Sequence, residues 1–341
     1  MPSPKKRLFV PVCLIASLVL VVHLVLSAVL VLTELPSDQQ QENGNPQLKS
    51  LGAMDSDLIS ESSGLAWSYR YEDCFWTHND SGHSADVYLL HTSGKVLAQV
   101  QLENANNRDW EAMTRFEMDG VGYIMVGDVG DNLEKCGEYI LYYFKEPRLE
   151  RLESGVEDSY RELTDPIKTT LRTGQITFRY PDGSKNCEAI AVDDITQSVW
   201  LVEKVYFSSS QKTAPGVYRV PIRFDPKKPV VTAERVGSFP VRNVTGMAFS
   251  PDQNKLLIRN YLTGDLYQRH DGESWKQVLA SWKPVSIPLP IQRQGEAVCF
   301  TPDSKSVIVS SEHKRQSIWR ITVEPYFDLP RKKRNVASRS K

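Results

Sequence analysis

Residues 188–192 read Glu-Ala-Ile-Ala-Val, and this short pattern recurs along the chain. Each copy has a polar residue, then Ala or Gly, then an apolar residue that opens an alternating run. The other four copies begin at Ser63, Glu111, Thr245 and Glu296. The small residues of successive copies lie 48, 77, 57 and 51 positions apart. This spacing indicates a chain built from repeated units.

Each unit continues with short strand-like runs, and the third unit reads EAIAVD, SVWLVEKV, GVYRVPIR and VVTAERV. Units of about 50 residues with four strands are typical of propeller blades. We therefore predict an all-β fold, a five-bladed β-propeller over residues 51–326. A six-bladed ring is the alternative if a polar insertion near 148–172 hides further strands. The last unit offers three runs, so its outer strand is expected from residues 51–60.

The charge of the chain is unevenly distributed. The chain has 341 residues and a net charge of −1, but residues 34–330 alone carry −10. An acidic body argues against a nucleic-acid-binding protein, because such proteins need a basic surface. The two ends are basic because they lack acidic residues: residues 1–33 carry +3 and residues 331–341 carry +6. Residues 327–341 are predicted to be a solvated basic tail, and the alternative is a dibasic processing site at Arg331–Arg334.

Residues 8–32 contain no formal charge and are long enough to cross a bilayer as a helix. Residues 1–7 carry Lys5, Lys6 and Arg7, so the positive-inside rule places them in the cytoplasm. We predict a signal anchor and a single-pass type II membrane protein of the secretory pathway, in the Golgi or at the cell surface. The alternative is a cleaved signal peptide and a secreted protein. The polar residues 33–50 are predicted to form a stalk.

An oxidising compartment permits disulfides and glycosylation. Four cysteines follow the apolar segment, and the pair Cys136–Cys187 is predicted to form a disulfide because both lie beside polar rim motifs. Cys74 and Cys299 are the remaining candidates. Two glycosylation sequons begin at Asn79 and Asn243.

A propeller brings the starts of the innermost strands and the ends of the second strands to one rim, because these strands are antiparallel. In every unit, polar residues end the second run 14–17 positions after the opening polar residue. Carboxylate-rich oxygen sites suit calcium. The predicted calcium ligands are Glu111, Glu188, Glu296, Asp128, Asp131 and Asp80. The predicted contacts to a small-molecule or protein ligand are Asn132, Lys204, Arg259, Glu312 and His78. The alternative is that the carboxylates only cap backbone amides of neighbouring blades.

The segments SGLAWS, THNDSG, DWEAM, GDVGDN and VTGMAFSPD resemble those of secreted or membrane-anchored β-propeller proteins with GDxGDN and DWE motifs. The layout is also similar to calcium-dependent apyrase and phytase propellers, in which acidic residues at the channel hold calcium and phosphate esters bind. The chain departs from those enzymes in having few basic residues at this rim, namely Lys204, Arg259 and Arg108.

Two functions are compatible with this pattern. The first is a binding or scaffolding ectodomain with a calcium-binding channel mouth. The alternative is a calcium-dependent hydrolase of an anionic substrate, either a phosphate ester or a nucleotide-like molecule.

Overall fold

A computed structural model describes residues 35–152, 163–206, 214–222 and 229–334. The predicted cytoplasmic residues 1–7 and the predicted membrane segment 8–32 lie outside this part of the chain. Among the described residues, no helix is both long enough and apolar enough to cross a membrane.

The described residues form five β-sheets, and their innermost strands contact one another in a closed ring. The predicted five-bladed propeller is confirmed. The strands of blade 1, from the channel outward, are β2 Ser62–Trp67, β3 Cys74–Asn79, β4 Asp86–His91, β5 Val96–Leu102 and β9 Ile167–Leu171. Those of blade 2 are β6 Trp110–Met118, β7 Val121–Asp128, β8 Tyr139–Lys145, β10 Gly174–Arg179 and β14 Val231–Thr232.

The other three blades have four strands each. Those of blade 3 are β11 Cys187–Asp193, β12 Ser198–Glu203, β13 Gly216–Pro221 and β15 Glu234–Ser238. Those of blade 4 are β16 Val244–Phe249, β17 Lys255–Asn260, β18 Thr263–Gln268 and β19 Val285–Pro288. Those of blade 5 are β20 Gly295–Phe300, β21 Ser306–Ser311, β22 Ser317–Thr322 and β1 Leu48–Ala53.

The polar insertion near 148–172 does not hide a sixth blade in its described part. Its strand β9 pairs in parallel with β5 and extends the edge of blade 1. The ring is closed by β1, which pairs antiparallel with β22 as the outermost strand of blade 5. The predicted exchange of an N-terminal strand is therefore confirmed, at residues 48–53 rather than 51–60. Closing the ring in this way covers the edge of blade 5.

The core consists of five hydrophobic clusters, one at each contact between neighbouring blades. Trp76 of blade 1 and Trp110 of blade 2, for example, are both fully buried in the cluster between these blades. The innermost strands β2, β11 and β20 are buried along their whole length, so they read as nearly continuous apolar runs after the opening polar residue.

The predicted stalk at 33–50 contains ordered structure. Helix α1 spans Asp38–Gly44 and begins with a capping box, in which Ser37 and Gln40 bond reciprocally. Ser50 in β1 donates through its hydroxyl to Asp38 at 2.7 Å, and its backbone N–H donates to Glu42 at 2.5 Å. Residues 38–50 therefore belong to the folded body.

The described part of the predicted basic tail also contacts the propeller. Arg331 forms two hydrogen bonds to Glu273, at 2.8 and 3.1 Å, just before helix α2 at Trp275–Ser281. Its guanidinium carbon lies 3.9 Å from the ring centroid of Trp282. Arg334 donates to the Tyr267 hydroxyl at 2.9 Å. Within this segment, Arg331 and Arg334 therefore find partners on blade 4, whereas residues 328–330, 332 and 333 are exposed. A short 3₁₀ helix, Glu324–Tyr326, links β22 to this segment.

Candidate metal centre at one channel mouth

Each innermost strand carries a β-bulge at its opening polar residue. In β11, Cys187 pairs with Glu203 and Ala189 with Val202, which leaves Glu188 outside the regular ladder. The register shifts in the same way in the other four blades, at Ser63, Glu111, Thr245 and Glu296. A bulge re-aims a side chain away from the regular alternation of a strand. The repeated bulge explains how one position of each unit reaches a common mouth.

Three of these positions bring carboxylates together. One oxygen each of Glu111, Glu188 and Glu296 lies within 4.8 Å of the others. The three residues are only 4, 3 and 2% exposed. Carboxylates this close and this buried cannot all ionise without compensating positive charge.

Lys204 supplies part of that charge. Its ammonium forms a salt bridge with Glu188 and donates a hydrogen bond to the Tyr261 hydroxyl at 3.0 Å. It also lies 5.4 Å from the ring centroid of Tyr206 and 5.2 Å from that of Tyr261. Burial alone would lower the pKa of Lys204, but the charges of Glu188 and Glu296 outweigh it and raise that pKa. Lys204 is therefore a permanent cation.

Glu296 is surrounded by hydrogen-bond donors. The Ser63 hydroxyl donates to its Oε2 at 3.1 Å, and the Gln294 amide donates to its Oε1 at 3.2 Å. Glu312 also lies beside it. Burial, together with the charge of Glu296, raises the pKa of Glu312 to about 11. Glu312 is therefore protonated at neutral pH.

Glu111 differs from its two neighbours. Its carboxylate accepts no hydrogen bond from any described residue, although the side chain is almost completely buried. Burial and the charges of Glu188, Asp80 and Glu296 raise its pKa well above the ordinary value. Burial also raises the pKa of Glu188 to about 7, against the opposing charge of Lys204. A buried carboxylate without donors is expensive unless a proton or a cation compensates it.

Glu111 also belongs to a second cluster. One oxygen each of Asp80, Asp109 and Glu111 lies within 4.8 Å of the others. Burial raises the pKa of Asp80 to about 6 and shifts that of Asp109 in the same direction. Gly130 of the GDVGDN segment makes room here, because a Cβ at this position would overlap Asp109 Oδ2 and lie 2.7 Å from Glu111 Oε1.

The remaining predicted ligands are not in these two clusters. Asp128 accepts from the backbone N–H of Asp109 at 3.0 Å and lies 3.3 Å from the guanidinium of Arg108. Asp131 accepts from the backbone N–H groups of Lys135 and Cys136, at 2.9 and 2.8 Å. Both carboxylates bind backbone N–H groups of blade 2 itself, not those of a neighbouring blade.

The second strands bring further predicted residues to this mouth. Asn132 accepts from the Tyr206 hydroxyl at 2.6 Å and from the Asn186 amide at 3.2 Å. Asn186 in turn donates to Glu188 at 3.3 Å. The sequence prediction missed Tyr206 and Tyr261 as site residues. A signal was present, because each tyrosine follows a basic residue by two positions in its unit.

Arg259 and His78 lie in the interior. Arg259 is 0% exposed and donates through Nη1 to the backbone oxygen of Ala297 at 2.9 Å. Burial lowers its pKa to about 10, so it remains charged. His78 is also 0% exposed, and burial lowers its pKa to about 4, so it is neutral. Its Nδ1 lies 2.9 Å from the backbone oxygen of Asn79.

The predicted disulfide is absent. All four cysteines in the described part of the chain, Cys74, Cys136, Cys187 and Cys299, are free thiols. Cys187 is buried and its thiol contacts the backbone oxygen of Ala189 at 3.4 Å, whereas Cys136 is exposed. Nearness to a common rim therefore did not bring these two sulfurs together.

The two sequons lie in different surroundings. Asn79 is 2% exposed, and its side-chain amide donates to the backbone oxygen of Leu58 at 2.8 Å. A glycan on that nitrogen is incompatible with this packing. Asn243 is half-buried with a positive φ of 54°, at the turn before β16.

Comparisons with known proteins place the chain in no family. No protein-family model matches it, and no curated protein sequence matches it. It is similar in fold to a protein described as a candidate 6-phosphogluconolactonase from Bacteroides uniformis, at 14% identity and a TM-score of 0.38, covering 82% of this chain and 72% of that one. It is also similar to Sqt1 from Chaetomium thermophilum, solved with the N-terminus of a ribosomal protein, at 15% identity and a TM-score of 0.34, covering 76% and 60%.

Proposed function

We propose that the protein is a calcium-binding β-propeller ectodomain that binds a ligand at the mouth formed by Glu111, Glu188 and Glu296. The observation that carries the proposal is the carboxylate of Glu111, which is 4% exposed and accepts no hydrogen bond from the described residues. Three ionised glutamates and the Lys204 ammonium leave two negative charges. One divalent cation balances that charge, and calcium accepts the all-oxygen ligand set that the glutamates offer.

The mouth also offers groups that can select a ligand. Tyr206, Tyr261 and Asn132 lie around Lys204 and present hydroxyl and amide groups beside two aromatic rings. Mixed aromatic and polar surroundings are typical of specific binding sites. The uncharged segment 8–32 supports a membrane anchor, which would hold this mouth on the lumenal or outer side of a membrane of the secretory pathway. Protection of a C-terminal tag from protease in intact microsomes tests that topology, and digestion of the tag without detergent would overturn it.

Calcium-dependent stability tests the metal site. The purified chain is treated with EDTA, and its thermal unfolding is followed with and without calcium. Binding to the native state alone adds RT ln(1 + [L]/Kd), about 2.7 kcal/mol at 100 times Kd. We expect a clear rise in Tm with calcium and a smaller one with magnesium, which demands octahedral geometry.

Two variants on one strand make the test specific. Glu111→Gln removes a charge from the cluster and should abolish most of the calcium response. Glu117→Gln removes a charge from an exposed position of the same strand β6 and should leave the response intact. A wild-type Tm that is unchanged by millimolar calcium would refute the metal site.

A second candidate function has one observation in its favour. Burial raises the pKa of Glu188 to about 7, and the cationic Lys204 lies beside it. A carboxyl group that titrates near neutral pH suits general acid–base catalysis, and Lys204 would attract an anionic substrate. A calcium-stimulated turnover of phosphate esters or nucleotides that is lost in Glu188→Gln would favour a hydrolase. Ligand binding without turnover would favour the binding ectodomain over the hydrolase.

A further inference from the structure

A run of four basic residues lies along the edge of blade 4. This basic segment, residues 331–334, reads Arg-Lys-Lys-Arg and runs antiparallel to residues 281–283, at the end of helix α2. Two backbone hydrogen bonds join the two stretches, from the Lys283 N–H to the Lys332 oxygen at 2.8 Å and from the Arg334 N–H to the Ser281 oxygen at 2.9 Å. The basic segment is therefore bound as a short added strand, a common way of binding an extended peptide.

Both arginines of the basic segment also have side-chain partners. Arg331 binds Glu273 through two hydrogen bonds and lies over the Trp282 ring. The Trp282 indole N–H donates to Glu273 at 2.9 Å, so these three side chains form one unit. Arg334 donates through Nε to the Trp282 backbone oxygen at 2.9 Å, besides its bond to Tyr267. A bidentate pair with a carboxylate and stacking on an indole ring are contacts that favour arginine over lysine.

The two lysines between the arginines contribute less. Lys332 and Lys333 are exposed, and the Lys333 ammonium lies 5.9 Å from the ring centroid of Trp282. Blade 4 therefore holds the first and fourth side chains of the segment and leaves the middle two facing solvent.

The ion pair that anchors the segment is partly buried. The side chains of Arg331 and Glu273 are 17 and 25% exposed. Salt screens such a pair less than a pair on the open surface. The hydrogen bonds from Arg331 lower the pKa of Glu273 to about 2, so this carboxylate stays ionised at neutral and mildly acidic pH.

The same four residues are a typical substrate for endoproteases that cut after paired basic residues. Such a protease takes its substrate as an extended chain and binds the basic side chains in its own acidic pockets. Arg331 and Arg334 cannot contact blade 4 and a protease at the same time. Cleavage therefore requires that the segment first leave residues 281–283, which is a local opening of the fold.

We propose that the basic segment is a latent processing site, which the propeller keeps from proteases by binding it along residues 281–283. In the cleavage, water adds across the peptide bond after Arg334. The C–N bond breaks, a C–O bond forms, and the products are a carboxylate on Arg334 and an amine on Asn335. The rate follows the fraction of molecules in which the segment is released. The proposal is independent of the calcium site, because none of these residues belongs to the carboxylate cluster.

Digestion of the native full-length protein by a purified endoprotease specific for paired basic residues tests this. Mass spectrometry identifies the new chain ends over time. A synthetic peptide of residues 327–341, which has no blade 4 to bind, is the unprotected reference. We expect the native protein to be cut within 331–334 at least about tenfold more slowly than the peptide, since cutting depends on the released fraction.

Two variants release the segment in different ways. Glu273→Gln keeps the side-chain shape and an oxygen for Trp282, but removes the charge that holds Arg331. We expect cutting within 331–334 to become about tenfold faster, since a charge-assisted pair contributes a factor of roughly this size. Arg331→Lys keeps a basic residue for the protease and loses the planar fork, so it should also speed cutting. It leaves the propeller body unchanged and decides the question if Glu273→Gln does not fold.

Glu324→Gln is the matched control. Glu324 pairs with Lys305 at 2.7 Å, close to the basic segment in the chain, and its loss should leave the cutting rate unchanged. Native protein that is cut as fast as the peptide would overturn the proposal, and so would unchanged rates in both Glu273→Gln and Arg331→Lys. A peptide that the protease leaves intact would show that the basic segment is not a processing site.

Discussion

Two buried glutamates of blade 2 show how differently one side chain can be used. Glu146 follows β8 and is 2% exposed, and Glu111 lies in β6 and is 4% exposed. The Glu146 carboxylate accepts from the Ser68 hydroxyl at 2.5 Å, the Tyr69 backbone N–H at 2.8 Å and the Trp76 indole at 2.7 Å. The Glu111 carboxylate accepts no hydrogen bond within the described chain.

The difference separates a structural carboxylate from a candidate ligand-binding one. Glu146 joins blade 2 to blade 1, and its donors replace the water that it loses on burial. Glu111 receives no donor from the described residues, and the carboxylates of Glu188 and Glu296 lie close to it. Carboxylates this close can remain buried when a proton or a bound cation neutralises part of their charge.

The largest effect is expected from removing the structural carboxylate. Glu146→Ala leaves the hydroxyl of Ser68 and the indole N–H of Trp76 without a buried acceptor. We expect a loss of about 3 kcal/mol or more in the free energy of unfolding, measured by urea denaturation. Glu150→Ala, at an exposed position four residues later, should change it by less than about 0.5 kcal/mol. A loss below about 1 kcal/mol in Glu146→Ala would contradict the structural assignment.

The pH dependence of the calcium-free protein sharpens the comparison. The folded-state pKa of Glu188 is raised to about 7, above its ordinary value of 4.5 in the unfolded chain. The unfolded state therefore ionises first as the pH rises, and stability falls between about pH 4.5 and 7. The loss from Glu188 amounts to ~3 kcal/mol at most.

Calcium should reverse this trend, because it binds the ionised carboxylates and competes with protons. Glu188→Gln should flatten the EDTA profile over the same range. Free energies of unfolding, measured from pH 4.5 to 8 for the wild-type protein and for Glu188→Gln, check both expectations. A calcium-free wild-type protein that gains stability from pH 5 to 7 would contradict the idea of an uncompensated cluster.

Gly130→Ala should affect the cluster more moderately. The new Cβ would overlap Asp109 Oδ2 and crowd Glu111 Oε1, so the two carboxylates must move apart. We expect a loss of about 1–2 kcal/mol in stability and a weaker calcium response. Gly237→Ala, where a Cβ meets no atom within 4 Å, is the matched control. An unchanged calcium response in Gly130→Ala would show that the Asp109 carboxylate does not take part in calcium binding.

The smallest effect is expected at the edge of the mouth. Tyr206→Phe removes the 2.6 Å hydrogen bond to Asn132. Because Tyr206 is only half-buried, water can replace this bond, and a loss of about 0.5–1 kcal/mol is expected in the free energy of unfolding. The ring of Tyr206 remains over Lys204, so the calcium response should persist. A complete loss of that response would place Tyr206 inside the metal site.

The sequence alone was sufficient to predict five blades, the exchanged outer strand and a polar residue at the start of each innermost strand. These features depend on periodicity and on residue type, which are local properties. Repeat spacing also placed Glu111, Glu188 and Glu296 at one mouth. The membrane segment at 8–32 and the role of calcium remain predictions.

Only the tertiary structure decided which carboxylates have partners. Asp131 and Glu111 are both acidic residues of the same blade, but Asp131 binds loop N–H groups and Glu111 binds none. Hydrogen-bond partners come from distant positions, as in the bond between Trp76 and Glu146 across 70 residues. The sequence likewise did not show that the thiols of Cys136 and Cys187 stay unpaired, or that Arg331 binds Glu273. Both outcomes also depend on contacts between residues that are far apart in the chain. Repeat periodicity determines which residues reach a blade edge, whereas the side-chain directions of neighbouring blades determine what each residue meets there.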